Sequence, residues 1–208
     1  VGDVHGHFTK LQAALDAGYS SSRALYKESG ALSPAQRRHK GAGEILRYAI
    51  APCPLGLLLL AASDKGACAL LFGDDEAALR QELGERFAAA DLHCDQHGLH
   101  DWLQQVIRQI EEPTHAARLP LDLRGTAFQQ QVWQALCGIP AGQTRRYGEL
   151  AEQLGSHARA VARACASNPL GLLVPCHRVI GASGSLTGYR WGVPRKQALL
   201  EREAQGNE

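Results

Sequence analysis

The sequence predicts an α+β fold: a small N-terminal sheet-plus-helix region followed by a mostly helical domain. Two observations predict it. From Glu44, three short apolar runs, "ILRYAIA", "LGLLLLAAS" and "ACALLF", are separated by Pro-Cys-Pro and Asp-Lys-Gly, the pattern of a small antiparallel sheet. Beyond Gly125 the period changes, and Phe128, Val132, Ala135 and Leu136 share one helical face. Charge divides the same halves. Val1 to Leu123 carries 12 basic and 16 acidic residues, whereas Arg124 to Glu208 carries 10 and 5. A polyanionic partner is therefore expected at the C-terminal half.

Three parts follow in order: 1–43, 44–120 and 121–208. The first holds a short apolar-periodic helix, a break at Ala17-Gly18-Tyr19 and a Ser-capped second helix closed by Ser33-Pro34, a helix-turn-helix outline. In the second, "DDEAALRQELGERFAA" follows the strands with acids in its first turn, where the helix dipole favours them. A further helix runs from about Gly98 to Glu111, and "LPLDL" reads as a short strand. In the third, Thr126 stands three residues before Gln129, the spacing of a capping box, and Ile139-Pro140-Ala141-Gly142 stops the helix they open. "YGELAEQLG" and "HARAVARACASN" form a second helix-turn-helix outline, inside the basic half. "SGSLTGYRWG" reads as a loop, and "VPRKQALLEREAQ" as a terminal helix with Pro194 near its start.

Composition narrows the function classes. The longest apolar run, Leu55 to Ala62, is far short of the ~20 residues of a membrane span. No basic-then-apolar leader opens the chain. Cys53, Cys68, Cys94, Cys137, Cys165 and Cys176 are scattered without CxxC pairs, which reads as reduced thiols of a cytosolic protein.

Three constellations bear on chemistry. "GDVHG", Gly2 to Gly6, matches the opening of metallophosphatases, but their downstream Asp-Arg-Gly and Asn-His-Glu motifs are missing from the sequence. "HCDQHGLH" sets His93, Cys94, His97 and His100 at spacings that could hold zinc on a helical face; Gly98 interrupts it, and a polar surface helix is the expectation. No metal is expected at either. "LLVPCHRVIGASG" holds Cys176, either a small buried residue or a nucleophile. On an extended chain Cys176 and His177 would point apart, so their pairing requires a turn after Pro175, or a bridging water. His177 as base, held by a carboxylate from elsewhere, would be the pattern of an activated nucleophile.

"PCHRV" at Pro175–Val179, with "GTAFQQQVWQALCGIPAGQT", "YGELA", "RAVARACASNP" and "GSLTGYRWGVPRKQALLERE" in order, resembles the O6-alkylguanine-DNA alkyltransferases across Leu121 to Glu203. Residues 44–120 fit that family's N-terminal region, which implies a ribonuclease H-like sheet. Residues 1–43 resemble the end of an AraC-type DNA-binding domain, the combination found in the C-terminal part of bacterial adaptive-response proteins. The resemblance implies DNA repair by irreversible transfer of an alkyl group from O6-alkylguanine, or O4-alkylthymine, to Cys176, without a cofactor, by a monomeric cytoplasmic protein. It implies His177 as base through water, Glu203 orienting the imidazole, Asn168 holding the turn around the cysteine, and Tyr147 as proton or hydrogen-bond donor to the departing guanine. The Val174 carbonyl and the backbone from Tyr189 through Trp191 to Gly192 would line the base pocket. The target base lies inside a duplex and must be flipped out. Arg159 matches the intercalating arginine of a minor-groove helix-turn-helix, with Gln129 and Gly148 at backbone contacts. A thioether has no labile bond, so the protein would be consumed stoichiometrically.

The chain departs from the family in three places. Only Ser156-His157-Ala158 separate Gly155 from Arg159, where about five residues are usual, which shortens the inner turn. Arg146 and Arg163 stand where small residues are common, and add candidate phosphate contacts. Arg190-Trp191 sets a bulky ring beside the pocket, from which O6-benzyl groups are expected to react more slowly than O6-methyl groups. A role in transcription is the alternative drawn from residues 1–43.

Overall fold

The computed structural model describes residues 42–206. The "GDVHG" motif and the first helix-turn-helix therefore lie outside the described residues. Three antiparallel strands come first: β1 (Ile45–Cys53), β2 (Gly56–Ser63) and β3 (Gly66–Gly73). Ile50 pairs with Leu59, and Leu60 with Leu70. β2 is the middle strand of these three and is buried on both faces, which is why Leu58 to Ala62 reads as an unbroken apolar run. Helix α1 (Glu76–Arg86) packs on β3 through Leu79 and Leu83, opened by the Asp75 carboxylate accepting the Ala78 N–H at 2.7 Å. Helix α2 (His100–Glu111) covers β1 with Leu103, Val106 and Ile110.

The fourth strand corrects the sequence reading. Asp91–Cys94 is β4, pairing parallel to β1 with Cys94 opposite Tyr48, where a polar helix was expected. Its four residues gain backbone partners from the free edge of β1, and this outweighs a helical turn that Gly98 would cut short. The ladder continues past the strand through a side chain. Gln96 Oε1 accepts the Ile50 N–H and its Nε2 donates to the Ile50 carbonyl, both at 2.8 Å. "LPLDL" is not a full strand either. It makes a single bridge, Leu121 with Ala67, along the outer edge of β3. Farther along that edge the Leu70 N–H donates to the Pro169 carbonyl at 2.8 Å, so the sheet directly holds a segment of the helical domain.

The helical domain begins with α3 (Ala127–Cys137), closed at its start by the expected Thr126–Gln129 capping box. A two-residue strand, β5 (Arg145–Arg146), leads into α4 (Tyr147–Gln153). Gly155 then takes a left-handed φ of +56°, a conformation glycine adopts without a Cβ penalty, and turns the chain into α5 (Ala158–Ala166). His157 caps α5, its Nδ1 accepting the Ala160 N–H at 3.2 Å. A 3₁₀ turn (Cys176–Arg178), the short strand β6 (Val179–Ile180) parallel to β5, and helix α6 (Val193–Gln205) complete the described chain. Among the described residues no helix is long and apolar enough to cross a membrane.

Candidate active site

Cys176 is brought to its place by the eight residues before it. Asn168 ends α5, its N–H donating to the Cys165 carbonyl at 3.1 Å. Leu172 then adopts a φ of +67°, a strained conformation for a residue with a Cβ, and the chain doubles back. Gly171 lies under the Trp191 ring so closely that a Cβ there would sit 2.5 Å from it. Pro175 has φ −79° and ψ +63°, an inverse γ-turn in which the Cys176 N–H donates to the Val174 carbonyl at 2.8 Å. The 3₁₀ turn follows at once. Of the two routes to pairing Cys176 with His177, a turn or a bridging water, the turn is present, while Nδ1 of His177 meets no partner among the described residues.

Asn168 links both ends of this loop. Its Nδ2 donates to the Val174 carbonyl at 2.8 Å and lies 3.2 Å from Cys176 Sγ, while its Oδ1 accepts the Leu170 N–H. The Val174 carbonyl thus has two donors already, Asn168 and the Cys176 N–H, and Val174 is fully buried. The sequence reading placed that carbonyl in the base pocket; with both lone pairs engaged, it holds the loop instead.

His177 is completely buried, and its Nε2 lies 2.8 Å from Glu203 Oε1. Glu203, 3% exposed, also accepts from Arg178 Nη2 at 2.8 Å, from Arg178 Nε at 3.1 Å and from the Gly142 N–H at 3.2 Å. Burial works against ionisation of Glu203, but the hydrogen bonds from His177 and Arg178 overcome it and hold its pKa at about 2. Burial lowers the His177 pKa, with the hydrogen bond to Glu203 opposing. Burial raises that of Cys176, against the Asn168 hydrogen bond and the Lys196 charge. Cys176 is 6% exposed, and a thiol so placed stays protonated near neutrality and would need a base in order to react.

Tyr147 opens α4, half-buried, with its pKa pushed up to about 12 by burial and by the two nearby thiols, Cys165 and Cys176. It therefore keeps its proton and remains a hydrogen-bond donor near neutrality. Tyr189 and Trp191 stack edge-to-face at 5.2 Å, and Trp191 meets Phe72 of β3 at 5.8 Å. Trp191 is thus a wedge between the two halves as well as a neighbour of the cysteine loop. Gly192 precedes α6 with a φ of +94°. Two residues were missed in the sequence. Arg178 stands inside the quoted motif, but nothing local marks Glu203, 25 residues on, as its partner. Lys196 is fully buried, its Nζ donating to the Val179 carbonyl at 2.5 Å. It shares a face of α6 with Glu203, seven residues on, where a surface lysine would be the default reading.

Exposed arginines stand on β5 and α5. Arg145, Arg146, Arg159 and Arg163 are exposed, with Arg159 in the first turn of α5, and Gly148 lies where an added Cβ would meet nothing. Gln129 is committed inside: its Oε1 accepts the Thr126 N–H and its Nε2 donates to Ser167 Oγ at 2.7 Å. The structure does not bring the zinc candidates together. His93, Cys94, His97 and His100 are exposed, and among the described residues no cluster of three such side chains could hold a metal.

Comparison with known proteins bears on the family. The 6-O-methylguanine DNA methyltransferase ribonuclease-like domain matches residues 46–123, and the DNA binding domain of the same name matches 127–205. The "Bifunctional transcriptional activator/DNA repair enzyme Ada" of Escherichia coli is 47% identical over 204 residues, 93% of this chain and 56% of that protein. A methylated-DNA–protein-cysteine methyltransferase of Mycobacterium bovis is 64% identical over 85 residues, covering 40% of this chain and 52% of its own. The chain spans about half the length of these curated relatives. Mycobacterium tuberculosis OGT, solved in complex with DNA, superposes with a TM-score of 0.62 at 39% identity, over 77% of this chain and 94% of that one. With both domains matched in order and a solved relative covered almost end to end, the chain belongs to the 6-O-methylguanine DNA methyltransferase family.

Proposed function

We propose that the chain repairs duplex DNA by moving an alkyl group from O6 of guanine, or O4 of thymine, irreversibly onto Cys176. One observation carries this reading: a buried cysteine followed by a buried histidine that a carboxylate holds by its far nitrogen. The thiol proton passes through water to Nδ1 of His177 as sulfur attacks the alkyl carbon in line. The S–C bond forms, the C–O6 bond breaks, and the electron pair leaves on guanine. Tyr147 donates to that guanine and is reprotonated from solvent, to which His177 returns its proton. The net change moves the alkyl group from oxygen to sulfur and the thiol proton to the base, so no cofactor is consumed. The thioether cannot leave again, and each molecule acts once.

Access requires the base to leave the stack, at a cost of a few kcal/mol. The exposed Arg159 suits insertion from the minor groove, and Gly148 suits close approach of a phosphate. Gln129 would serve there through its position at the start of α3. Such a protein works as a monomer in the bacterial cytoplasm, on the nucleoid. The Escherichia coli relative is also named a transcriptional activator, and residues 1–43, with their AraC-like outline, are where such a role would lie. The test is intact mass and peptide mapping after incubation with a duplex carrying one O6-methylguanine. One added methylene on Cys176, with one equivalent of guanine restored, is expected. DNA bound without any mass gain would overturn the repair reading.

A further inference from the structure

Arg178 is spent on Glu203 rather than on solvent or DNA. Its Nε and Nη2 both donate to the carboxylate, and its Nη1 donates to the Ile139 carbonyl at 2.5 Å, so the guanidinium cannot swing away. A buried carboxylate facing a lone imidazole favours the charged imidazolium. Here the carboxylate has a permanent cation already. With His177 neutral, the group His177–Glu203–Arg178 carries no net charge; a second proton on the ring would leave an uncompensated positive charge in a completely buried site. The charged groups that act on the ring are Glu203 and Lys196 from α6 and Arg178 from its own turn, with the Cys176 thiol next to it in the chain. Lys196 adds to the positive side. Nε2 faces the carboxylate and must carry the single proton. Nδ1 is then a bare acceptor, and it is buried with no partner among the described residues.

We propose that Arg178 is a positioning residue for alkyl transfer: its fixed charge on Glu203 keeps His177 neutral, in the tautomer that presents Nδ1 to the Cys176 thiol. The inference rests on Cys176 being the acceptor. It makes the arginine of the "PCHRV" stretch part of the proton path without contact to substrate, and it gives the motif's two basic residues opposite duties. One must stay charged so that the other need not be.

The experiment combines single-turnover methyl transfer from an O6-methylguanine duplex, followed across pH, with ¹⁵N spectra of the His177 ring. Wild-type protein should show a protonated Nε2 and an unprotonated Nδ1 at neutral pH. Arg178→Met, of similar length but uncharged, should charge the ring, slow transfer about tenfold at pH 7 and move the rising limb of the pH profile up by about one unit. Arg178→Lys should recover part of both. A folded Arg178→Met protein with the wild-type pH profile and ring signals would overturn the proposal. Should that variant not fold, a wild-type ring found cationic, or protonated on Nδ1, at pH 7 overturns it alone. Wild-type protein that gains no methyl group sinks the acceptor reading first, a result read before any variant is made.

Discussion

Residues 45–111 bury aliphatic and aromatic side chains, one thiol (Cys68) and one serine, whereas residues 127–205 bury an arginine, a lysine, a glutamate, a histidine, an asparagine and a glutamine alongside their own apolar core. The first region buries no charged side chain; the second is built around charged groups that satisfy one another. Each region depends on the other. The sheet edge holds Pro169 through the Leu70 N–H, and Phe72 backs Trp191. Arg195 reaches from α6 to the Leu55 carbonyl at 2.9 Å and to Asp74, and Arg190 pairs with Glu82 of α1 at 2.7 Å. The contrast is one of interiors: an apolar wall that fixes positions and a polar interior whose charges satisfy one another.

The largest expected break is Glu203→Gln. Removing one partner of a buried ionic group costs about 3–5 kcal/mol at neutral pH, and losing an oriented base slows transfer by about 10²–10⁴-fold. The two effects separate by pH. The Glu203 pKa is depressed from 4.5 to about 2 in the folded protein, so its contribution to stability is complete above pH 4.5 and is lost as pH falls toward 2. Chemical denaturation across that window should show the wild type converging on the variant; a constant gap would mean that the carboxylate's charge is not what stabilises the fold.

Leu60→Ala, in the fully buried middle strand, should cost about 2–5 kcal/mol and leave the transfer rate per folded molecule unchanged. A rate that falls in step with stability would dissolve the distinction between wall and machinery. Smallest is Arg163→Ala on the exposed face of α5, which should lower the salt slope of DNA binding by about one and spare transfer at low salt. A slope equal to wild type would remove Arg163 from the phosphate contacts.

Much of the fold could be read from local pattern. The three apolar runs are β1 to β3, the acidic first turn opens α1, and Thr126 and Gln129 form the cap their spacing implies. The strand β4 could not be read so, because its partner Tyr48 lies 46 residues before Cys94, and nothing within Asp91–Cys94 announces a free edge waiting beside it. The site divides in the same way. Cys176, His177, Asn168 and Glu203 stand together, brought there from two stretches of chain. Val174 does not offer its carbonyl to a base, and Lys196 and Arg178, to which the sequence assigns no role, are buried beside the site.

The sequence by itself determined what closes within one turn of chain: the capping box and the glycine at the inner turn. Those bonds join residues a few positions apart, so the chain's own geometry supplies both partners. The tertiary structure decided which charges are buried and with whom. Glu203 meets His177 across 26 residues and Arg178 across 25. A carboxylate, a guanidinium and an imidazole take their protonation from what surrounds them, and only the packing of α6 against the 3₁₀ turn makes them one group.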